Sequence, residues 1–442
     1  MAGPAIRAWH IAIALSREHD VELATTGSCS LSHPAFGVRS VDGDELADLV
    51  GWCDILVFQG NLMRLYPVLR ETSKVVVADI YDPFHLEVLE YTRGQDAAYR
   101  QFALSSSTAV LNEQLMRGDF FLCASQKQRD FWLGQLAAVG RINPVTYDAG
   151  ENLESLITVV PFGVDDEAPV HTRSVLRGVV PGIRPDDRVI LWGGGIYNWF
   201  DPLTLLRAVD GLTRRLPDVR LYFLGLAHPN PDVGEMKMAA DTLALSDALG
   251  LTGTTVFFND GWVDYDDRAN FLLEADVGVS THLDHVETAF SFRTRILDYL
   301  WAGLPVVATR GDALADLIEG EGVGLTVPPG DVDALEDALF KLLNDAALAA
   351  ASRERLPRVA AAYRWSRVLQ PLLDFCGAPR RAPDLLDPVT ARTIRDPLPI
   401  ADSAQPGALR NLQPTLAHIT ERRVRPFVAK ARRRIAELRR RT

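Results

Sequence analysis

The chain has 442 residues, of which 47% are hydrophobic and 24% charged, and its formal net charge at pH 7 is −12. This length exceeds what one ordinary hydrophobic core organises, so we expect two domains with additional segments. No run approaches about 18 consecutive apolar residues, which argues against a membrane-spanning helix. The four cysteines are widely scattered and fit reduced core thiols. With no signal peptide predicted at the start, we expect a cytoplasmic protein.

The first half of the chain alternates strand and helix signals loosely. Strands are predicted at residues 21–25, 54–59, 74–80, 119–125 and 156–160, and helices at 4–19, 63–72, 96–116 and 126–138. This order predicts a Rossmann-like parallel sheet over residues 1–165. The chain begins on the turn Gly3-Pro4 with no strand before it, so we expect the first central strand to be missing and the N-terminus to be truncated.

Two polar residues follow the strand predicted at 74–80. Asp82 and His85 stand where the carboxyl edge of that sheet would face a cleft between domains. On sequence alone, His85 fits a structural role better than a catalytic one.

After residues 166–187, which we interpret as a linker, strands and helices alternate almost without interruption. Strands are predicted at 189–193, 219–225, 254–259, 277–282, 305–309 and 323–328, and helices at 202–212, 234–249, 265–275, 292–302 and 331–343. The pattern predicts a second α/β domain with a doubly wound parallel sheet, over residues 188–376.

Three glycines end the first strand of this second domain. Gly193, Gly194 and Gly195 precede Asp201-Pro202, which is typical of a helix N-cap and first turn. Glycines let the backbone approach a ligand and direct N–H groups at a phosphate. Alone they indicate only a tight turn, and the spacing is not that of the dinucleotide fingerprint.

The loop after the strand 277–282 is rich in acids and histidines. His282 and Glu287 belong to it, with Asp284 and His285 between them. The spacing does not place three metal ligands on one face, so we expect no metal. Such side chains suit hydrogen bonds to sugar hydroxyls, and a hydrogen-bonded surface loop is the alternative.

Residues 291–309 have the punctuation of a short helix, with Ser291 before it and Gly303 and Pro305 after it. Arg293 and Arg295 lie at its start, where free N–H groups and the helix dipole already attract anions. Asp298 follows one turn later and faces the same ligand. Two cations and an acid in this arrangement suggest a nucleotide-sugar.

The end of the chain changes character. Residues 377–415 are rich in proline and are interpreted as an extended linker. Residues 416–442 form a basic tail, whose last 22 residues hold nine arginines and one lysine against two glutamates. Interspersed apolar residues are typical of a helix on an anionic membrane, and a solvated, disordered terminus is the alternative. The acidic body disfavours nucleic-acid binding.

Over residues 1–376 the chain resembles the family 4 (group 1) retaining glycosyltransferases, which have the GT-B fold of two facing Rossmann-like domains. The most specific part is the run from Arg295 to Val307, RILDYLWAGLPVV. Gly3-Pro4-Ala5-Ile6-Arg7 resembles the glycine loop and first helix of that family's N-terminal domain. The segment from Val160 to Val164 resembles its inter-domain segment.

The resemblance implies roles for single residues. Asp298 would bind the nucleotide ribose and Arg293 or Arg295 the diphosphate. Gly3 and Arg7 would line the substrate side of the N-terminal domain, with His85 near the sugar. Further implied positions are Trp262 at the nucleobase and Glu287 as the nearest match to the acid that contacts the donor sugar.

Two departures from the family pattern stand out. The family's first acid would fall at Phe290, and Asn198 and Trp199 stand near its donor-loop arginine and lysine. The two arginines of the helix would then carry more of the phosphate charge.

Together these features predict a retaining, metal-independent glycosyltransferase of hexosyltransferase type. We expect it to use a nucleotide-diphosphate-sugar and a glycan or lipid-linked acceptor, as in polysaccharide biosynthesis, peripherally at a membrane and with no cofactor. Asp82, His85 and Glu287 are the candidate catalytic residues. A nucleotide-sugar epimerase and a non-catalytic partner subunit of the same fold are the alternatives.

Overall fold

The computed structural model describes residues 3–226, 236–259 and 261–395. The chain divides into two units, Met1–Asp387 and Pro388–Thr442. Of the second unit, only the helix Pro388–Arg395 lies within the described residues. The predicted basic tail and the end of the predicted linker lie outside them. Among the described helices, none is both long and apolar enough to cross a membrane.

The first half of the larger unit holds two parallel sheets. Its strands are β1 (Glu22–Thr25), β2 (Gly37–Ser40), β3 (Ile55–Gln59), β4 (Val75–Asp79), β5 (Phe120–Cys123) and β6 (Ile157–Val159). β1 and β2 form one pair, and the other four strands form a sheet in the order β3-β4-β5-β6. Five of the six strands match predicted ones, whereas the short strand β2 was not predicted. β4 and β5 are almost fully buried, as parallel strands covered on both faces must be.

The four-stranded sheet is open at β3. Within the described residues, β1 and β3 each pair with one neighbour and not with each other. Both strands are only half-buried along most of their length. Ala24 of β1 and Leu56 of β3 nevertheless pack against the same apolar cluster. The expected further strand ahead of Gly3 stays a prediction.

Eight helices in the described residues cover these sheets. They are α1 (Gly3–Leu15), α2 (Gly43–Trp52), α3 (Leu62–Leu65), α4 (Pro67–Glu71), α5 (Phe84–Tyr91), α6 (Ala97–Arg117), α7 (Gln126–Ala138) and α8 (Pro144–Ala149). α2, α5 and α8 were not predicted. α2 begins with a capping box between Asp42 and Glu45, and α7 begins at Ser125, whose side chain accepts the N–H of Gln128.

The second half holds one six-stranded parallel sheet, and all of its strands were predicted. They are β7 (Arg188–Trp192), β8 (Val219–Phe223), β9 (Val256–Phe258), β10 (Val277–Ser280), β11 (Val306–Thr309) and β12 (Gly324–Val327). The spatial order β12-β11-β10-β7-β8-β9 reverses direction at β7. In such sheets a crevice opens outside the carboxyl ends of the strands at the point of reversal, which is where ligands bind.

Helices flank this sheet on both faces. They are α9 (Pro202–Thr213), α10 (Lys237–Ala248), α11 (Arg268–Leu273), α12 (Val286–Phe290), α13 (Thr294–Trp301), α14 (Ala313–Glu321), α15 (Val332–Asn344) and α16 (Ala346–Ala362). A single 3₁₀ turn, Tyr265–Asp267, precedes α11. α13 ends as expected, with Gly303 in the left-handed region at φ +67°.

The chain then returns to the first half through α17 (Trp365–Val368), α18 (Gln370–Gly377) and α19 (Pro383–Leu386). The ring of Phe375 stacks on Phe120 with centroids 4.2 Å apart. Asp384 forms an ion pair with Arg141 at 2.7 Å, and both side chains are fully buried.

The prediction of an extended linker from residue 377 is therefore wrong for its first part. α19 and the helix Pro388–Arg395 both start on a proline, a residue that suits the first helical turn because its missing N–H is not needed there. The high proline content was interpreted as extended chain, although two of these prolines begin helices.

Replacing Asp384 by Ala is expected to lower the free energy of unfolding by about 3–5 kcal/mol, because it leaves the buried guanidinium of Arg141 without its counter-charge. Urea unfolding measures the change. The matched control is Asp374→Ala at an exposed position of α18, which should stay within about 0.5 kcal/mol of wild type. Equal stability of the two variants would contradict the burial of this pair.

Candidate functional site

The glycine loop leaves β7 at the predicted point. The N–H of Gly193 donates to the hydroxyl of Tyr299 at 2.7 Å, which fixes the start of the loop. Gly194 has φ +79° and has open space where a Cβ would stand. A ligand can therefore approach the Gly194 backbone closely.

The start of α13 is joined directly to this loop. Arg295 donates from Nη2 to the carbonyl oxygen of Gly195 at 2.8 Å. Its guanidinium lies 4.3 Å from the ring centroid of Trp192 and 4.0 Å from that of Phe200. Burial lowers the pKa of Arg295 to about 10, so the group remains a cation at neutral pH. The glycine loop and the arginine helix thus form one site.

Each of these two arginines has one buried donor atom that makes no hydrogen bond within the described residues. These atoms are Nη1 of Arg295 and Nε of Arg293. Leaving a buried charged donor unpaired is costly. The second cation is otherwise engaged, because Arg293 donates from Nη2 to Glu287 at 2.6 Å and both side chains are nearly fully buried. The two free donors are the feature of the site that most directly calls for an anionic ligand.

Asp298 stands one turn into α13, where it was predicted. Its Oδ1 accepts a hydrogen bond from Nε of Arg268 at 3.1 Å, and 36% of the side chain remains exposed. Desolvation in the crevice raises the pKa of Asp298, and Arg268 opposes that shift. The carboxylate is therefore accessible to a ligand.

Trp262 lies beside the same loop. A Cβ on Gly225 would be 3.5 Å from the Trp262 ring and 3.7 Å from the carbonyl carbon of Gly194. The ring thus stands at the carboxyl end of β8, close to the glycine loop, where a flat ligand group would stack on it.

The positions that replace the family's donor-loop cations have other partners. Oδ1 of Asn198 accepts the N–H of Met238 at 3.1 Å, and the Trp199 ring is stacked on Tyr197 with centroids 5.1 Å apart. Asn198 and Trp199 are thus engaged in contacts with neighbouring residues that follow the glycine loop and begin α10.

The carboxyl edges of the two sheets face each other across the crevice. Gln128 at the start of α7 donates from Nε2 to the carbonyl oxygens of Tyr81 and Phe290, at 2.7 and 2.8 Å. The rings of Phe131 and Phe290 lie 4.6 Å apart. This contact brings residues that follow β4 next to residues that follow β10.

Three carboxyl groups meet at this junction. Desolvation by burial, and then repulsion from the nearby Glu287, raise the pKa of Asp82 to about 7. The pKa of Glu87 is raised well above its ordinary value by desolvation and then by Asp82. Arg293 supplies the compensating positive charge. A carboxyl group with a pKa near neutrality is suited to acid–base chemistry.

Glu87 was missed by the sequence reading. It lies in the first turn of α5, where an acid is common because it complements the helix dipole. No local pattern distinguishes such an acid from one in a site, and only the approach of Glu287 from the other half reveals it.

The two candidate histidines are neutral and enclosed. His85 packs against Phe131 and Trp132, and burial lowers its pKa to about 4. His282 is 1% exposed, and its pKa is lowered to about 3 by burial and by Arg293. Its Nε2 lies 3.6 Å from Oδ2 of Asp312. His282 was expected to contact substrate directly. Because its side chain is buried, that expectation is corrected: His282 packs inside the fold and supports the loop that follows β10.

Arg7 also differs from expectation. Its guanidinium is fully buried, forms an ion pair with Asp79 at 2.6 Å, and donates to the carbonyl oxygens of Val160 and Pro161. It holds α1 against β4 and cannot reach a substrate. Gly3, the first residue of α1, has open space around it, as a substrate-facing position requires.

A cavity of about 80 Å³ lies at this edge of the first half. Its polar lining comes from Gln59, Asp79, Tyr81, Asp82 and Gln114. In the described part of the chain, no three His, Cys, Asp or Glu side chains are grouped as ligands for a metal ion.

Comparison with known proteins identifies the class. Residues 187–345 match the family model of the glycosyl transferases group 1. Anabaena Alr3699/HepE, solved in complex with UDP-glucose, superposes with a TM-score of 0.63 at 13% identity over 86% of this chain and 97% of that one. WaaG, a glycosyltransferase involved in lipopolysaccharide biosynthesis, superposes with a TM-score of 0.59 at 17% identity over 86% and 97%. The fold is GT-B.

Curated relatives agree with this class. D-inositol 3-phosphate glycosyltransferase of Saccharomonospora viridis is 30% identical over 52% of this chain and 51% of its own length. Phosphatidyl-myo-inositol mannosyltransferase of Mycolicibacterium smegmatis is 30% identical over 37% of this chain and 38% of its own. The chain thus spans about half, or less, of the curated relatives it matches. Residues 187–345, the part of the chain that matches the glycosyl transferases group 1, hold the glycine loop and α13.

Replacing Asp82 by Asn is expected to remove a pH-dependent part of stability. Because its pKa is raised to about 7, the folded chain binds more protons than the unfolded chain above the ordinary pKa of Asp. This contribution is present at low pH and is lost as the pH rises to about 7, by at most about 1.4 kcal/mol per pH unit. Urea unfolding from pH 5 to pH 8 measures it. Asp48→Asn, at an exposed site, should leave the slope unchanged, and an unchanged slope in Asp82→Asn would contradict the raised pKa of Asp82.

Proposed function

We propose that the protein is a retaining, metal-independent glycosyltransferase that moves a hexosyl group from a nucleotide-diphosphate-sugar to a glycan or lipid-linked acceptor. The observation that carries the proposal is the bond from Arg295 to the Gly195 carbonyl. It places the open backbone of Gly194 beside a helix N-terminus and two arginines with unpaired donors. Such an arrangement suits a diphosphate.

The diphosphate is the leaving group in this reaction. When the bond between the anomeric carbon and the phosphate oxygen breaks, negative charge develops on the diphosphate. Arg293 and Arg295 are held in place by their own hydrogen bonds, and the backbone N–H of Gly194 would join them around that charge. Groups fixed in advance stabilise a developing charge most effectively. Two arginines perform this role without a metal ion.

The ribose, the nucleobase and the sugar of the donor can be assigned to residues once the diphosphate is placed at the glycine loop. The Asp298 carboxylate, one turn beyond Arg295, would accept hydrogen bonds from the ribose hydroxyls. Trp262, beside the glycine loop, would stack on the nucleobase. The sugar would then lie between the glycine loop and the junction of the two sheets, next to Glu287.

The acceptor would enter from the first half of the chain. The cavity lined by Pro4 and Asp82 is mostly apolar, and Gln59, Asp82 and Gln114 in its lining offer hydrogen bonds to a hydroxylated group. With its pKa raised to about 7, Asp82 is able to take the proton of the attacking hydroxyl near neutral pH. His85, which burial keeps neutral and which packs against Phe131 and Trp132, would support this region from behind. The names of the curated relatives, an inositol phosphate and a phosphatidylinositol glycosyltransferase, support a polyol or lipid-linked acceptor.

A panel of UDP-, GDP- and ADP-sugars, incubated with candidate acceptors in the presence of EDTA, tests the proposal. We expect transfer from one donor, with the anomeric configuration of the donor preserved in the NMR spectrum of the product. Turnover of donor without any acceptor would instead indicate an epimerase. Absence of binding to every nucleotide would indicate a non-catalytic subunit, and loss of activity in EDTA would contradict the metal-independent mechanism.

Replacing Asp298 by Asn is expected to weaken binding of the nucleoside diphosphate by about 10- to 100-fold, because hydrogen bonds to a charged acceptor contribute about 1.5–3 kcal/mol. Calorimetric titration measures the affinity. The matched control is Asp247→Asn at the exposed end of α10, which should bind like wild type. Equal affinities of the two variants would remove Asp298 from the donor site.

We further propose that the basic tail attaches the enzyme peripherally to an anionic membrane. Removing residues 396–442 should abolish sedimentation with vesicles that contain phosphatidylglycerol, since each basic residue near such a surface contributes about 1 kcal/mol. A full-length control in which the arginines after residue 421 are changed to Gln should behave like the truncation. Unchanged sedimentation of both proteins would exclude the tail as the anchor.

A further inference from the structure

Arg268 is a buried charged partner of Asp298. It begins α11, is 7% exposed, and donates from its three nitrogen atoms to three different groups. These are Oδ1 of Asp298 at 3.1 Å, Oδ2 of Asp165 at 2.7 Å and the carbonyl oxygen of Tyr265 at 2.7 Å. No motif of the sequence pointed to it.

Two aromatic rings fix the plane of this guanidinium. It lies 3.5 Å from the ring centroid of Tyr265 and 4.5 Å from that of Trp301. Trp301 belongs to α13, the helix that carries Asp298, and its Nε1 donates to the carbonyl oxygen of Glu167 at 2.7 Å. These contacts fix Arg268 relative to α13. Its planar guanidinium in turn orients the Asp298 carboxylate, to which it donates a hydrogen bond.

The bond from Arg268 determines which oxygen of Asp298 is available. Among the described residues, the hydrogen bonding of this carboxylate is through Oδ1 alone. With 36% of the side chain exposed, Oδ2 is left for a ligand. Without Arg268, the side chain would be free to rotate and would lack the positive charge that favours its ionised form.

We propose that Arg268 is a positioning residue for the donor: it holds the Asp298 carboxylate so that Oδ2 accepts the hydroxyl groups of the nucleotide ribose. This inference rests on the proposed function, because it takes a nucleotide as the ligand. Through Asp165, the same residue ties the ribose contact to the segment that leads from the first half of the chain to the second.

A purely structural ion pair is the alternative, and the chain offers a matched example. Arg220 is also 7% exposed, pairs with Asp187 at 3.0 Å, and donates to the carbonyl oxygens of Gly182 and Pro217. Both pairs should matter for stability. Only the pair at Asp298 should affect recognition of the ribose.

The test compares Arg268→Gln, Arg268→Lys and Arg220→Gln in the full chain. Calorimetric titration with UDP, GDP and ADP first identifies the nucleotide that wild type binds, and the 2′,3′-dideoxy form of that nucleotide is then titrated. We expect wild type and Arg220→Gln to prefer the ribonucleotide at least tenfold. In Arg268→Gln the preference should fall below threefold, mainly through weaker binding of the ribonucleotide, with Arg268→Lys in between.

The possible failures are distinguishable. If wild type binds none of the three nucleotides, the proposed function fails and this inference fails with it. If wild type shows the preference and Arg268→Gln keeps it in full, the positioning role alone is overturned. Should Arg268→Gln not fold, Arg268→Lys takes its place, and an undiminished preference in that variant overturns the role.

Discussion

The hydrogen bond from Arg295 to the carbonyl oxygen of Gly195 is the contact on which the site depends. It joins two segments that are 100 residues apart in the chain. Because of this bond, the glycine loop and the start of α13 form one continuous surface. The cation is held in a cage of aromatic rings from β7 and the following loop, so its position is set by packing. A preorganised charge of this kind needs no rearrangement when a ligand arrives.

The second constraint is electrostatic. Arg293 donates a hydrogen bond to Glu287, which belongs to the same half of the chain. It also acts electrostatically on Asp82 and Glu87, which belong to the first half. In spite of this positive charge, desolvation and the neighbouring carboxylates raise the pKa of Asp82 to about 7. The same two halves are joined nearby by the hydrogen bonds of Gln128. A diphosphate bound nearby would draw on the same positive charge, which couples donor binding to the protonation of Asp82.

Much of this architecture was predictable because it is encoded locally. Glycines after a strand and Gly303 after α13 mark the end of an element, Asp201 before Pro202 marks the start of one, and the structure places all three as expected. All six strands of the second sheet were predicted, since each is a short and mostly apolar run between turn residues. Asp298 stands on α13 one turn after Arg295, as the helix pattern predicts, and its role at a ribose, like that of Trp262 at a nucleobase, stays a prediction.

The remaining features depend on contacts between residues distant in the chain. Arg7 was interpreted as facing substrate because it follows a glycine turn, but its ion pair with Asp79, 72 residues away, buries it. Glu87 and Arg268 carry no local signal, because an acid in a first helical turn and an arginine at a helix start are common on protein surfaces. The helix at Pro383 was mistaken for linker since the buried partner of Asp384 lies 243 residues earlier.

A crystal structure with the nucleoside diphosphate that the protein binds would test the assignment of the donor site most directly. The diphosphate is expected within hydrogen-bond distance of the Gly194 backbone and of the free donors of Arg293 and Arg295, with the ribose against Asp298. A diphosphate bound elsewhere, with Nε of Arg293 and Nη1 of Arg295 still unpaired, would contradict it.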